Sequence, residues 1–325
     1  MYLNGTYELT CVLDSDKFSK LFDRVYNALE YVDENKYVDY SLASKGITVM
    51  YRDSQYKKKI KLIVNPCRLL DSDKPDPDRI VRKLEKHVSG YFRNKYLLED
   101  FDLTGLALVT DIDVHSRENA TAYMKVLKRI GKVKGFSPSQ DDWPGEDAGL
   151  YLDGNSNGIN FMLYDLGNFL REQAKEIGSG GGEQKALTKK SEGLLRAEVR
   201  LVKQKAIHAY TDESLASTQI ADLSSNIQKI FLDTFMRVVP FGNFYKKDKA
   251  EDIIRAKVDD LTIRRRMLRL VELMPDKKSL LLAQKALNYR RIDEVMDAFS
   301  SIEVAPVTIS KRHDIKKLDN LYKYM

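Results

Sequence analysis

Cysteine and histidine are scarce in this sequence, which has 2 and 4 of them in 325 residues. Cys11 and Cys67 each lie in an apolar, strand-like context, outside any CxxC motif or cysteine–histidine cluster. We therefore predict two buried, reduced thiols, with neither a disulfide nor a zinc site. The histidines never form a His-hydrophobic-His pair, so a metal site would have to be built mainly from carboxylates.

Long apolar runs are also missing. No stretch approaches the roughly 20 apolar residues that cross a bilayer, and MYLNGTYELTCVLDSD lacks the basic and apolar regions of a signal peptide. We therefore expect a soluble, cytoplasmic protein with no membrane partner. A hydrophobic content of 43% is enough to bury a core, in one large domain or two ordinary ones.

Acidic residues do not balance the basic ones, and the net charge is +6. From Gly242 onward there are 19 Lys and Arg against 13 Asp and Glu, whereas the preceding residues balance at 35 against 35. A basic C-terminal end suits an anionic partner, most often nucleic acid. A solvated helical surface without such a function is the alternative.

Apolar spacing predicts an α+β region over residues 1–215 and a helical region over 216–325. VDYSLASKGITVMYRD and KKKIKLIVNPCRLL alternate as strands, and DRIVRKLEKHVSGYF has helical spacing. The strand in LTGLALVTDIDVH precedes a helix that Ser116 caps and Gly131 closes. INFMLYDL and LLRAEVRLV are further predicted strands.

Two polar stretches between these strands are predicted to be loops, SPSQDDWPGEDAGLYLDGNSNG and EIGSGGGEQKALTKKSEG. From about Thr218 the apolar spacing is helical almost to the C-terminus. No internal repeat is visible in the sequence, although two related halves could still exist in the fold.

Polar side chains recur on one face of three predicted strands. Successive strand residues point to opposite faces, so each strand places alternate residues together. The shared faces hold Asp111, Asp113 and His115; Asn160, Met162 and Tyr164; and Arg196, Glu198 and Arg200. If the strands are neighbours, these groups converge on a surface that could bind a hard divalent cation. The alternative is a solvated face on which Asp111 and Glu198 pair with the arginines and Tyr164 is an ordinary strand aromatic.

VTDIDV, MLYDLGNFLRE and LLRAEVRLV follow one another in an order and at a spacing similar to those of a known family. The chain resembles the replication initiator proteins of rolling-circle plasmids and filamentous phages, over roughly residues 40–210. That resemblance implies RRM-like antiparallel sheets with packed helices. It also implies nicking of one origin DNA strand through a 5′-phosphotyrosine.

The family's motifs imply roles for individual residues. Tyr164 matches the nucleophile, Asp113 and Glu198 match the acidic residues that hold Mg²⁺ or Mn²⁺, and Asp111 or His115 would assist. Independently of the resemblance, Arg196 and Arg200 on the same polar face could supply part of the positive field that favours the tyrosinate. Leu166 stands where the family has a lysine, and Asp111 where it has an arginine. Arg171, Lys175 or Arg200 could replace that lysine, or the fold could have been kept without the chemistry.

The helical end offers a candidate DNA-binding surface. A helix pair followed by Pro306 and a further helix starting at Thr308 or Ser310 is predicted to form a helix-turn-helix-like module. The cations proposed to face DNA are Arg264, Arg265, Arg266, Lys311, Arg312, Lys316 and Lys317. A helical bundle with a basic face, or a dimerisation element, is the alternative.

The sequence therefore favours a metal-dependent initiator that nicks and joins origin DNA, single-stranded at the nick. A host helicase and a second copy of the chain are candidate partners. A non-catalytic DNA-binding regulator with the same fold is the main rival hypothesis, and a structural protein of a phage or mobile element is the third.

Overall fold

The structure, a computed structural model, describes residues 2–140, 149–177 and 181–325. Parts of both predicted polar loops, residues 141–148 and 178–180, lie outside the described residues. The first half of the α+β region contains β1 (Asn4–Leu13), α1 (Ser15–Val25), β2 (Glu30–Asp33), β3 (Lys36–Asp39), β4 (Ile47–Asp53), β5 (Lys58–Val64), α2 (Pro66–Leu70) and α3 (Pro77–Tyr91).

The second half repeats much of this arrangement. It contains β6 (Asp102–Asp113), α4 (Arg117–Leu127), β7 (Phe136–Pro138), β8 (Gly149–Gly154), β9 (Ile159–Asp165), α5 (Leu166–Ile177), α6 (Gly182–Lys190), β10 (Leu194–Leu201), α7 (Gln204–Ile207) and α8 (Ala216–Val238). The last part contains β11 (Phe244–Tyr245), α9 (Lys247–Lys257), α10 (Leu261–Lys277), α11 (Leu280–Leu287), α12 (Ile292–Ser301) and β12 (Lys317–Leu318).

One ten-stranded antiparallel sheet organises both halves, in the order β2-β3-β4-β5-β1-β6-β10-β9-β8-β7. In each half a first strand and helix are followed by a four-stranded meander whose last strand pairs with the first strand. β1 and β6 then pair antiparallel at the centre of the sheet. The sheet therefore consists of two topologically related halves, which the sequence alone did not reveal.

Alternating burial along the strands explains why one face of the sheet is covered. In β1, Tyr7, Leu9 and Cys11 are buried while the intervening Glu8 and Thr10 are half-buried. The buried side chains join a core that also includes apolar residues of α1, α3, α4 and α8. The opposite face of the sheet carries the polar residues.

α8 connects the helical region to this core. Tyr7 on β1 forms a hydroxyl–hydroxyl hydrogen bond of 2.6 Å with Ser224 on α8. Phe161 on β9 meets Phe235 edge-on, with ring centroids 6.0 Å apart. The predicted class is confirmed: antiparallel sheet with packed helices, then a mainly helical C-terminal region.

The two loop predictions are wrong in part. β7 and β8 occupy sections of the first stretch, where Leu150 and Leu152 pack into the core. α6 occupies much of the second stretch, although its described side chains are half-buried or exposed. Both stretches are rich in glycine and polar residues, which masked the short elements inside them.

The predicted helix starting at Thr308 or Ser310 is also wrong. Residues 304–309 are an extended, buried segment, in which Ile309 donates its backbone N–H to Tyr245. β12 then pairs antiparallel with β11. These residues pair with the segment around β11 instead of forming a helix, so the described residues at this end contain no helix-turn-helix module.

Candidate functional site

The three strands that carry the predicted site residues are neighbours in the sheet, in the order β6-β10-β9. Arg196 on the middle strand lies directly opposite Asp111 on one side and Tyr164 on the other. Glu198, two residues further along β10, lies opposite Val109 and Met162. Strand alternation thus predicted the shared face correctly. The register between the strands determines which of the side chains on this face are in contact.

Arg196 and Asp111 form a bidentate ion pair. Nε and one terminal nitrogen of the guanidinium donate to the two Asp111 carboxylate oxygens, at 2.7 and 2.8 Å. This fork geometry is the strong form of an arginine–carboxylate contact. The hydrogen bond to Asp111 raises the pKa of Arg196 further above its ordinary value, so this arginine is a fixed positive charge beside the tyrosine.

Glu198 connects Tyr164 to the second arginine. The Tyr164 hydroxyl donates to Glu198 Oε1 at 2.6 Å, and a terminal nitrogen of Arg200 donates to Oε2 at 2.6 Å. Only 6% of Tyr164 and 6% of Glu198 is exposed. A buried carboxylate needs such partners, because an unpaired charge there would be costly.

α5 crosses the polar face at this point and covers Tyr164. A small apolar cluster, separate from the main core, joins Tyr164 to Tyr151, Met162 and Leu166, with Phe169 packed against it. The Tyr164 ring lies 4.9 Å from that of Phe169 and stacks at 6.1 Å on that of Tyr151. Leu166, where the resembling family has a lysine, is therefore part of the apolar cover.

Burial is the main reason that Tyr164 remains protonated. It raises the pKa of the phenol well above its ordinary value, and the charge and hydrogen bond of Glu198 raise it further. Arg196 acts in the opposite direction. In this conformation the Tyr164 hydroxyl is a hydrogen-bond donor. Tyr164 can act as a nucleophile only if Glu198 accepts the phenolic proton or if the surroundings of the ring change.

Asp113 and His115 lie apart from the tyrosine and Glu198. Asp113 is opposite Leu194, four residues along β6 from the position opposite Glu198, which corresponds to about 13 Å along the strand. His115 follows the strand in a left-handed conformation with φ of 72°. Both side chains are largely exposed, and His115 Nδ1 lies 3.7 Å from Asp113 Oδ1.

In this conformation the carboxylates of Asp111, Asp113 and Glu198 do not form a single metal site. Asp111 is paired with Arg196, and the Glu198 oxygens accept from Tyr164 and Arg200. The described residues contain no group of three or more His, Cys, Asp or Glu arranged to hold an ion. The requirement for Mg²⁺ or Mn²⁺ stays a prediction.

Tyr151 is the residue at this site that the sequence did not indicate. It lies on β8, opposite Met162, within the stretch predicted as a loop. The alternation of Leu150, Tyr151 and Leu152 was the available signal. Burial and the nearby Glu198 raise the pKa of Tyr151 as well, so both tyrosines of the cluster are protonated.

The predicted DNA-binding cations are dispersed over the C-terminal region. Arg266 on α10 lies over the Tyr289 ring at 5.0 Å, and Arg264 donates to the Arg255 carbonyl at 3.4 Å. Lys317 on β12 pairs with Asp319 at 2.6 Å. The other predicted cations, Arg265, Lys311, Arg312 and Lys316, are exposed. They do not lie together on one recognition helix.

No family model, curated protein or solved structure matches the chain. Among the described residues, no helix combines the length and the apolar character needed to cross a membrane.

Proposed function

We propose that the protein is a replication initiator that nicks and rejoins one strand of origin DNA through Tyr164. The observation that carries the proposal is the hydrogen bond of 2.6 Å from the Tyr164 hydroxyl to Glu198. A nucleophile within hydrogen-bond reach of a base, which a third group orients, is the general arrangement for covalent catalysis. Arg200 is the orienting group here.

The proposed reaction is a transesterification that needs no external oxidant or energy source. Glu198 takes the phenolic proton while the Tyr164 oxygen attacks a backbone phosphorus. The bond from phosphorus to the 3′ oxygen breaks, which leaves a 5′-phosphotyrosine, and the 3′ oxygen takes a proton to become a hydroxyl. Attack by a 3′ hydroxyl on the phosphotyrosine reverses these steps and joins the strand.

Arg196 and Arg200 supply positive charge where negative charge develops on the phosphate oxygens. Their side chains are 32% and 38% exposed, so they remain accessible at the surface of the sheet. Tyr164 is covered by Phe169 of α5 and by Tyr151, so this side of the site has to open before a phosphodiester reaches the phenol. The conformation described is thus the resting state.

The proposal is tested by incubating the protein with single-stranded origin-type oligonucleotides and supercoiled plasmid DNA, with Mg²⁺, Mn²⁺ or EDTA. We expect a covalent protein–DNA adduct from the wild type and none from Tyr164→Phe. Tyr151→Phe is the matched control, because it removes one hydroxyl from the same cluster. An equal yield of adduct from Tyr164→Phe would show that Tyr164 is not the nucleophile. The EDTA arm decides whether a metal ion is required.

A non-catalytic DNA-binding regulator is the second candidate, and a specific observation favours it. Tyr164 is 6% exposed and Leu166 contributes to its cover, so the tyrosine also fits a purely structural role. Salt-sensitive DNA binding without adduct formation on any substrate would support this candidate. In either case we expect cytoplasmic action on origin DNA, with a host helicase and a second copy of the chain as the partners to test.

A further inference from the structure

The β4–β5 hairpin carries an unusual concentration of positive charge, part of it on the open face of the sheet. Between Ile47 and Val64 there are five cations, Arg52, Lys57, Lys58, Lys59 and Lys61, and one acid, Asp53. The charge of the chain up to residue 241 is balanced, so this local excess is invisible in the overall composition. It lies far along the chain from the predicted DNA-binding residues of the C-terminal region.

Three of the cations on this face lie side by side across three strands. Lys36 on β3 is directly opposite Arg52 on β4, which in turn is directly opposite Lys59 on β5. Side chains in such pairs have Cβ atoms about 5 Å apart, and like charges placed there destabilise a sheet. We name Lys36, Arg52 and Lys59 the basic row. An anionic ligand would relieve the repulsion within it.

The basic row is only partly neutralised by the protein. Lys36 pairs with the exposed Asp33 at 3.1 Å, and the nearby Lys61 pairs with Glu8 at 2.5 Å. Within the described part of the chain, neither Arg52 nor Lys59 has an acidic partner. Two adjacent positive charges are therefore available to a ligand.

The basic row lines a concave surface on the same face of the sheet as the tyrosine site. A cavity of about 370 Å³ is bounded by all three cations and by Lys61, Thr10 and Thr104. Val202, which follows β10 directly, lines the same cavity. Lys59 is opposite Val12 at one end of β1, whereas Tyr164 is level with Asp111, which lies beyond the other end of β1. The basic row and Tyr164 are therefore roughly 30 Å apart along the strands. One DNA strand would have to run along the sheet face to contact both.

An exposed aromatic side chain belongs to the same hairpin. Tyr56 lies in the turn between β4 and β5 and is 90% exposed. Ser54 closes this turn, since its hydroxyl donates to the Lys57 carbonyl at 2.6 Å. Cations beside an exposed aromatic ring are typical of surfaces that bind single-stranded nucleic acid, where bases stack on the ring and phosphates meet the cations. Binding of an acidic peptide would account for the cations but not for the exposed aromatic ring.

We propose that the basic row and Tyr56 bind the backbone and a base of single-stranded DNA, and hold that strand on the face of the sheet that also carries Tyr164, at the opposite end of the strands. The inference rests on the proposed function in taking a DNA strand as the substrate. It assigns the first half of the sheet to strand binding and the second half to the chemistry. Binding by this surface does not require Tyr164.

The test measures the affinity of the full-length protein for a fluorescent 15-nucleotide oligothymidylate by anisotropy over a range of salt concentrations. The variant Arg52→Gln with Lys59→Gln keeps the aliphatic stems and removes two charges. We expect binding about tenfold weaker near 0.1 M salt, and a slope of log affinity against log salt that is shallower by about 1.4. Tyr56→Ala is expected to weaken binding by at least about fivefold with the salt slope unchanged.

The matched control is Lys83→Gln with Lys86→Gln, which removes the same charge from exposed positions of α3. It is expected to bind as the wild type does. Equal losses from both double variants, or no loss from either, would overturn the inference. So would displacement of the oligonucleotide by polyglutamate of equal charge, since that would show an unspecific anion surface.

The two proposals fail in different ways. If the hairpin variants lose binding and no protein forms a tyrosyl adduct, the strand-binding surface stands and the nicking function is wrong. If adducts form while the hairpin variants bind and react as the wild type does, the nicking function stands and this surface is wrong. Relief of the repulsion between Arg52 and Lys59 should leave the melting temperature of the double variant unchanged or higher, which verifies its fold.

Discussion

Glu198 has two partners within the sheet face. Its carboxylate accepts from the Tyr164 hydroxyl on β9 and from Arg200 on its own strand. Replacing it with alanine would leave the Tyr164 hydroxyl without this acceptor in a buried cluster. The free energy of unfolding should fall by about 1–3 kcal/mol, which is the usual cost of a buried polar group that has lost its partner.

Urea denaturation followed by circular dichroism measures this change. Asp113→Ala is the control, because Asp113 lies on the same face of the sheet but is largely exposed. It should alter stability by less than about 0.5 kcal/mol. Equal losses from the two variants would mean that the Tyr164–Glu198 contact contributes little to the fold.

Strand alternation was sufficient to place Asp111, Arg196 and Tyr164 on one face, because parity depends only on local sequence. It did not determine the register, which depends on pairing between strands that are distant along the chain. For that reason the predicted meeting of Asp113 with Glu198 does not occur in this conformation. The left-handed turn at His115 is likewise a local feature that alternation does not predict.

Asp165 joins β9 to α5, and its pKa is raised by burial. Its carboxylate also caps α5 by accepting the Asn168 backbone N–H at 2.9 Å. Because the folded pKa is raised, the stabilisation by protonated Asp165 is complete below the unfolded pKa of about 3.9 and is lost as the pH rises through the folded pKa. Asp165→Asn keeps a capping oxygen without the charge.

Melting temperatures of the wild type and Asp165→Asn, measured from pH 4 to pH 8, should therefore diverge. The melting temperature of the asparagine variant is expected to rise relative to that of the wild type as the pH increases. Asp76→Asn changes an exposed cap of α3 with the same geometry, in which Asp76 accepts from Arg79 at 2.9 Å. For this control, the difference in melting temperature from the wild type should not increase with pH. If the difference increased equally for both variants, burial of Asp165 would not be its cause.

Elements were predictable where apolar spacing was regular, as in β6 and α4. The C-terminal tail shows why spacing sometimes misleads. Ile309 and Leu318 are buried, but each is held in an extended chain by pairing near β11. Those contacts join residues more than 60 positions apart, so they cannot be predicted from the local spacing of apolar residues. α6 was missed for the opposite reason, since it packs weakly and lacks a clear apolar face.

At the scale of the whole molecule, the related halves of the sheet have different chemistry on the same face. The second half contains the tyrosine, the buried glutamate and the bidentate arginine pair, whereas the first half contains the basic row. The fold class was predictable from composition and periodicity. The relation between the halves was not, because it exists in the order of the strands rather than in similar residues.

The predicted division of the chain at residues 215 and 216 can be tested through α8. This helix begins at Ala216, yet it contacts the core through Phe235 beside Phe161 and through Ser224 bonded to Tyr7. A protein ending at residue 215 would expose that apolar surface to water, at roughly 25 cal/mol for each Å². We expect this fragment to lose cooperative unfolding in urea, while the full chain unfolds in a single transition. A fragment of residues 1–215 that unfolds cooperatively, and keeps its near-ultraviolet circular dichroism, would instead establish the first 215 residues as an independent domain.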